Sequence, residues 1–194
     1  GVTSCRAIET SAGRDARPFR RAIGLAGDGP LIGLLGGFRV MKGQLFALEA
    51  VERLARTGRS FHVALVGSGA FDLTIRTARA RAGLSERVAI VDDETDPVEA
   101  VAAFDVALYV PLESDGMSRV LLEYLAAGRA VVASRVGVVP EVLTDGENAL
   151  LVPAGEPGPL AEAIGRRRAV FRGHSYTDFA FHYILAGEVA PETI

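Results

Sequence analysis

Short β-rich apolar runs alternate with amphipathic helical stretches along almost the whole chain, and this alternation constrains the fold more than any other feature. Leu31-Ile32-Gly33-Leu34-Leu35, His62-Val63-Ala64-Leu65-Val66, Arg87-Val88-Ala89-Ile90-Val91, Val106-Ala107-Leu108-Tyr109-Val110 and Ala130-Val131-Val132-Ala133-Ser134 each have the length of a buried strand. Leu150-Leu151-Val152 is a shorter sixth run. Between them, Leu45, Leu48, Val51 and Leu54 carry helical spacing that stops near Gly58, and a second helix runs to about Gly83. A short helix begins at Pro97, another ends at Gly128, and a last one covers about 159–168. Runs apolar on both faces, separated by crossover helices, predict a doubly wound α/β fold. Its sheet is mostly parallel, with helices on both faces. The chain, 1–194, reads as a single domain with a core over 30–168. The tail, 169–194, is expected to pack back through Phe179, His182, Tyr183 and Leu185. Gly155-Glu156-Pro157-Gly158-Pro159 reads as a loop.

Charge narrows the function. With 21 basic against 24 acidic residues the net charge is −3, which gives no electrostatic reason to expect nucleic acid. The run Arg166-Arg167-Arg168 reads as a solvated helix end. A lone cysteine, Cys5, excludes an internal disulfide framework and fits a reducing, cytoplasmic setting. No stretch approaches the roughly 18 to 20 apolar residues that span a bilayer. The chain opens on Gly1-Val2 rather than on methionine and is expected to begin inside a longer protein.

In an open α/β sheet, ligands bind outside the carboxyl ends of the strands, at the switch point. That rule selects the loops 36–43, 67–69, 91–96 and 111–117. Gly67-Ser68-Gly69 has no third glycine over 70–72, so a tight strand-to-helix turn is preferred to a dinucleotide fingerprint. Lys42, before Gly43, can meet a phosphate at a helix start. Asp115-Gly116-Met117-Ser118 has the composition of a helix entry, with Asp115 or Ser118 as cap. Glu123 lies in the apolar run Val120-Leu121-Leu122-Glu123-Tyr124-Leu125-Ala126-Ala127, where a buried carboxylate needs partners. Sugar hydroxyls are one candidate and Arg119, one turn earlier, is the other.

Several segments, taken in order, resemble the C-terminal, donor-binding domain of retaining family-4 (group 1) glycosyltransferases of the GT-B type. These are Lys42-Gly43-Gln44, Val66-Gly67-Ser68-Gly69, Ala103-Phe104-Asp105-Val106 and the stretch from Asp115 to Ser134. Downstream, Gly137 to Glu141 and Asp145-Gly146-Glu147-Asn148-Ala149-Leu150-Leu151-Val152-Pro153 continue the pattern. The likeness runs from Gly1-Val2 to about Ile164. It implies a Rossmann-like half of a GT-B fold whose N-terminal acceptor-binding domain lies outside this chain. It also implies a UDP- or GDP-linked sugar as donor substrate, with no tightly bound cofactor and no metal. By this resemblance Glu123 accepts from the ribose hydroxyls and Asp115 contacts the sugar. The amides of Gly116, Met117 and Ser118 meet the diphosphate, Lys42 neutralises it as it leaves, and Val91 and Asp92 lie beside the base. Gly36, Gly37 and Gly67 belong to the same donor site.

The pattern has departures. Asp115 stands where the family has glutamate, and the family's phosphate-binding arginine falls on Gly37, with Arg39 as its replacement. The stretch over 168–174 is shorter than usual. Two other functions fit the residues: a non-catalytic nucleotide- or partner-binding module with a degenerate site, and a sugar-nucleotide epimerase-like enzyme.

Overall fold

A computed structural model describes residues 17–24, 29–92, 96–116 and 118–166. The expectations placed on Gly1-Val2, Cys5, Met117, Arg167, Arg168 and the tail lie outside the described residues. Six strands form one sheet: β1 Leu31–Leu35, β2 His62–Val66, β3 Val88–Val91, β4 Val106–Tyr109, β5 Ala130–Ser134 and β6 Leu150–Val152. All pair in parallel, in the order β3-β2-β1-β4-β5-β6. The helices are α1 Arg17–Ala22, α2 Gln44–Ala55, α3 Asp72–Arg81, α4 Pro97–Ala103, α5 Arg119–Ala126, α6 Val139–Val142 and α7 Pro157–Gly165.

The chain winds outward from β1 to β3, then returns to β4 beside β1 and winds the other way. Crossovers of one hand, run in opposite directions, put their helices on opposite faces. Accordingly α2, α3 and α7 bury Phe46, Val51, Leu54, Ile75 and Leu160 against one face. On the other face, α1, α4 and α5 bury Phe19, Val101, Leu121 and Tyr124. Phe104 joins that second layer, edge-on to Phe19 and Tyr124 with ring centroids 6.4 and 6.3 Å away.

Helix α7 starts at Pro157, inside the stretch read as a loop, and ends at Gly165 rather than near 168. Proline suits a first helical position because its missing N–H has no partner there anyway. The turn at Asp145-Gly146 is held by its own side chains. Asp145 Oδ1 accepts from the Leu151 amide at 2.9 Å, and Asn148 Oδ1 accepts from the Thr144 amide at 2.7 Å. None of the described helices is long and apolar enough to cross a membrane.

Candidate functional site

β1 pairs with β2 along its whole length but with β4 only at Ile32 and Gly33. Beyond Gly33 the two central strands part, and the reversal of winding leaves a crevice between them. With β4 no longer paired there, the Leu35 amide donates instead to the hydroxyl of Tyr124, fully buried on α5, at 2.7 Å. Burial pushes the Tyr124 phenol well above its ordinary pKa, so the hydroxyl stays neutral. Removing that oxygen leaves the Leu35 N–H without a partner. Tyr124→Phe is therefore expected to cost about 1 to 2 kcal/mol of stability, read as a lower urea midpoint at unchanged slope.

Leu35, Lys42, Tyr109, Ser118 and Val120 line the crevice. Lys42 ends a short 3₁₀ turn, Val40–Lys42, in the loop after β1. Its Nζ pairs with Asp115 Oδ2 from the loop after β4, although the two residues stand far apart in sequence. The loops are stitched together behind that pair, where the Leu112 amide donates to the Met41 carbonyl at 2.9 Å. Gln44, buried at the start of α2, donates from Nε2 to the Gly37 carbonyl at 2.9 Å and so fixes the glycine loop.

The Tyr109 hydroxyl lies 3.5 Å from the carboxylate oxygen that holds Lys42, and Ser118 hydrogen-bonds the same phenol. Burial raises the Tyr109 pKa. The neighbouring carboxylate adds to the rise, and the Ser118 hydrogen bond opposes it. Asp115 is not the cap of α5. Ser118 occupies that position, and its side chain makes no capping bond. Among the described residues the N-cap side chain thus leaves the first amides of α5 uncapped, in the arrangement that receives anions at helix starts.

Glu123 lies on the next turn of α5. It is 7% exposed, and Arg119 Nε stands 3.3 Å from its Oε1. Of the two partners open to it from sequence, the arginine is in place. Burial raises the Glu123 pKa, and Arg119 pulls it back part of the way.

The remaining sequence-expected residues divide. Gly36 and Gly67 meet each other, because a Cβ on Gly67 would overlap the Gly36 carbonyl. The Phe38 amide also donates to the Ser68 carbonyl at 2.7 Å, which joins the first two loops. This close packing accounts for the Gly67-Ser68-Gly69 turn. Gly116 is exposed at the crevice mouth. Arg39 is exposed in the β1 loop, with no side-chain partner among the described residues. Val91 ends β3 and Asp92 follows it, two strands from β1 and at the sheet edge, on the same carboxyl end. Tyr109, Tyr124 and Gln44 were not singled out from sequence. The place of Gln44 directly after Lys42-Gly43 was the signal available for one of them.

A doubly wound parallel sheet with this crevice is the Rossmann-like half found in GT-B glycosyltransferases. Residues 29–167 match the family described as glycosyl transferases group 1, and the chain belongs to that family. It is 30% identical over 195 residues to a D-inositol 3-phosphate glycosyltransferase of Acidothermus cellulolyticus, covering 91% of this chain and 43% of the relative. The chain spans less than half the length of the curated relatives it matches. In fold it resembles the crystallised C-terminal domain of a group 1 glycosyl transferase, LpcC of Francisella tularensis. The TM-score is 0.74 at 19% identity, covering 88% of this chain and 94% of the other. It also resembles HepE of Anabaena, solved in complex with UDP and glucose. There the TM-score is 0.70 at 24% identity, over 78% of this chain and 41% of the other.

Proposed function

We propose that this chain is the C-terminal, donor-binding domain of a retaining family-4 glycosyltransferase and takes a UDP- or GDP-linked sugar. One observation carries the reading: Lys42 and Asp115 meet beside the uncapped start of α5, with Glu123 on the following turn. Family membership supports sugar transfer. The UDP and glucose bound to HepE support the donor class.

The roles follow from charge and position. The amides at the start of α5 and the Lys42 ammonium receive the diphosphate, and both act most strongly as negative charge develops on it. Glu123 accepts hydrogen bonds from the ribose hydroxyls. Asp115 releases Lys42 to the phosphate and turns to the sugar. Val91 and Asp92 flank the base, and Arg39 serves as the second phosphate cation from the β1 loop. The bond from the anomeric carbon to the diphosphate oxygen breaks. The acceptor oxygen bonds to that carbon on the same face, and its proton passes to the departing phosphate. The acceptor comes from an N-terminal domain outside this chain, so the isolated chain binds donor and transfers nothing.

Calorimetry with UDP, GDP and their sugar conjugates tests the reading. Folded chain that binds none of them would refute it. Lys42→Met is expected to weaken diphosphate binding about tenfold, the worth of one charge-assisted contact, and to leave the nucleoside's affinity unchanged.

A further inference from the structure

Arg119 opens α5, where the positive end of the helix dipole disfavours a cation. Its side chain is 81% exposed, yet it reaches one turn forward along the helix to a Glu123 side chain that is only 9% exposed. The order, arginine first and glutamate four residues on, is the weaker of the two i,i+4 arrangements. No other side chain among the described residues pairs with the guanidinium. It therefore covers what remains open of Glu123 while keeping most of its donors unspent.

We propose that Arg119 is a donor-binding residue. In the empty site it covers Glu123. When the ribose hydroxyls take the carboxylate, its guanidinium turns to the diphosphate at the start of the same helix. This rests on the donor-binding reading above, and it names the group that answers a shortage of charge. Lys42 is held by Asp115 until the phosphate takes it, Gly37 carries no charge, and Arg39 lies exposed on the loop after β1. The leaving diphosphate carries about three negative charges near neutral pH, more than Lys42 and Arg39 together neutralise. A planar guanidinium at the helix start can bind two phosphate oxygens at once. The exchange conserves contacts, since Glu123 passes from arginine to ribose and the arginine from carboxylate to phosphate.

The test is binding of UDP, GDP, uridine and guanosine to the full chain and to Arg119→Gln, by calorimetry for the diphosphates and ligand-observed NMR for the nucleosides. Because Arg119 is largely exposed, the variant is expected to melt with the parent. Arg119→Gln should lose about tenfold in affinity for the diphosphate the parent binds, and hold the matching nucleoside to within about twofold. Arg119→Lys should fall between, because lysine keeps the charge without the fork. Equal loss for diphosphate and nucleoside would mean that Arg119 acts only by placing Glu123, and would overturn the proposal. Unchanged or tighter diphosphate binding would overturn it too, by reducing the arginine to a cover. If the unaltered chain binds no diphosphate, the donor reading itself fails and takes this proposal with it.

Discussion

Glu123→Gln is expected to lower affinity for a nucleoside diphosphate by about a hundredfold, with the fold intact. An ionised carboxylate can accept from both ribose hydroxyls at once. Each such bond to a charged acceptor contributes about 1.5 kcal/mol or more, and two of them make about a factor of one hundred. The amide keeps the shape but offers one neutral acceptor. Stability should hold or rise slightly. The lost ion pair reaches only to an arginine 81% exposed, while the cost of desolvating a nearly buried charge disappears.

The pH dependence makes the test sharper. Burial raises the native Glu123 pKa above its unfolded value, so the native state holds its proton more tightly. That contribution to stability is fully present below the ordinary carboxylate range and is lost as pH rises through the raised native pKa. On the donor-binding proposal, nucleotide binding uses the ionised form and should move the other way, strengthening as the carboxyl loses its proton. Titrations upward from the ordinary carboxylate range should therefore show affinity rising more steeply with pH in the parent than in Glu123→Gln, where the diphosphate's own ionisation remains. Should the variant bind nucleotide as well as the parent does, the non-catalytic module becomes the better reading of this chain.

The frame of this site was legible in the sequence, and its inner contacts were not. Five of the six strands are apolar runs that need no partner to be recognised, because a parallel sheet buries both faces of each one. Their order across the sheet is a tertiary fact, and with it the crevice beyond Gly33. Glu123 stood out as a charge inside an apolar helix, and its neighbour Arg119 was readable at helical spacing. Tyr124 lies in the same run and reads as one more core aromatic. Its hydroxyl acquires a purpose only when the end of β1 is set beside α5. Tyr109 is similar, since its polar tip gains meaning from Asp115 and Ser118 folding over it. The Asp115–Lys42 pair joins two loops distant in the chain, and no local pattern forecasts it. Resemblance put both residues in one site, but on different parts of a donor rather than on each other.

Gly43→Ala is expected to be the most damaging small substitution near the site, costing about 3 to 4 kcal/mol of stability. Gly43 ends the 3₁₀ turn and begins α2 with φ at 76°, in the left-handed region. Its amide donates to the Val40 carbonyl at 3.2 Å, and its own carbonyl accepts from the Ala47 amide at 2.8 Å, so neither neighbour can rotate to relieve it. The left-handed backbone alone costs a non-glycine residue about 1 to 2 kcal/mol. The larger part comes from contact. A Cβ there would overlap the Val110 carbonyl, which is backbone and cannot swing aside. Relief requires the loops after β1 and β4 to part, which strains the hydrogen bond from Leu112 to Met41 and draws Lys42 from Asp115. Gly128→Ala is the matched control. Gly128 has φ at 63° in open space, so the same change there carries the backbone cost without the overlap. Urea unfolding of both variants separates the two parts. Equal losses for Gly43→Ala and Gly128→Ala would show that the loops yield freely. Lys42 would then not be held at the crevice by close packing of the backbone behind it.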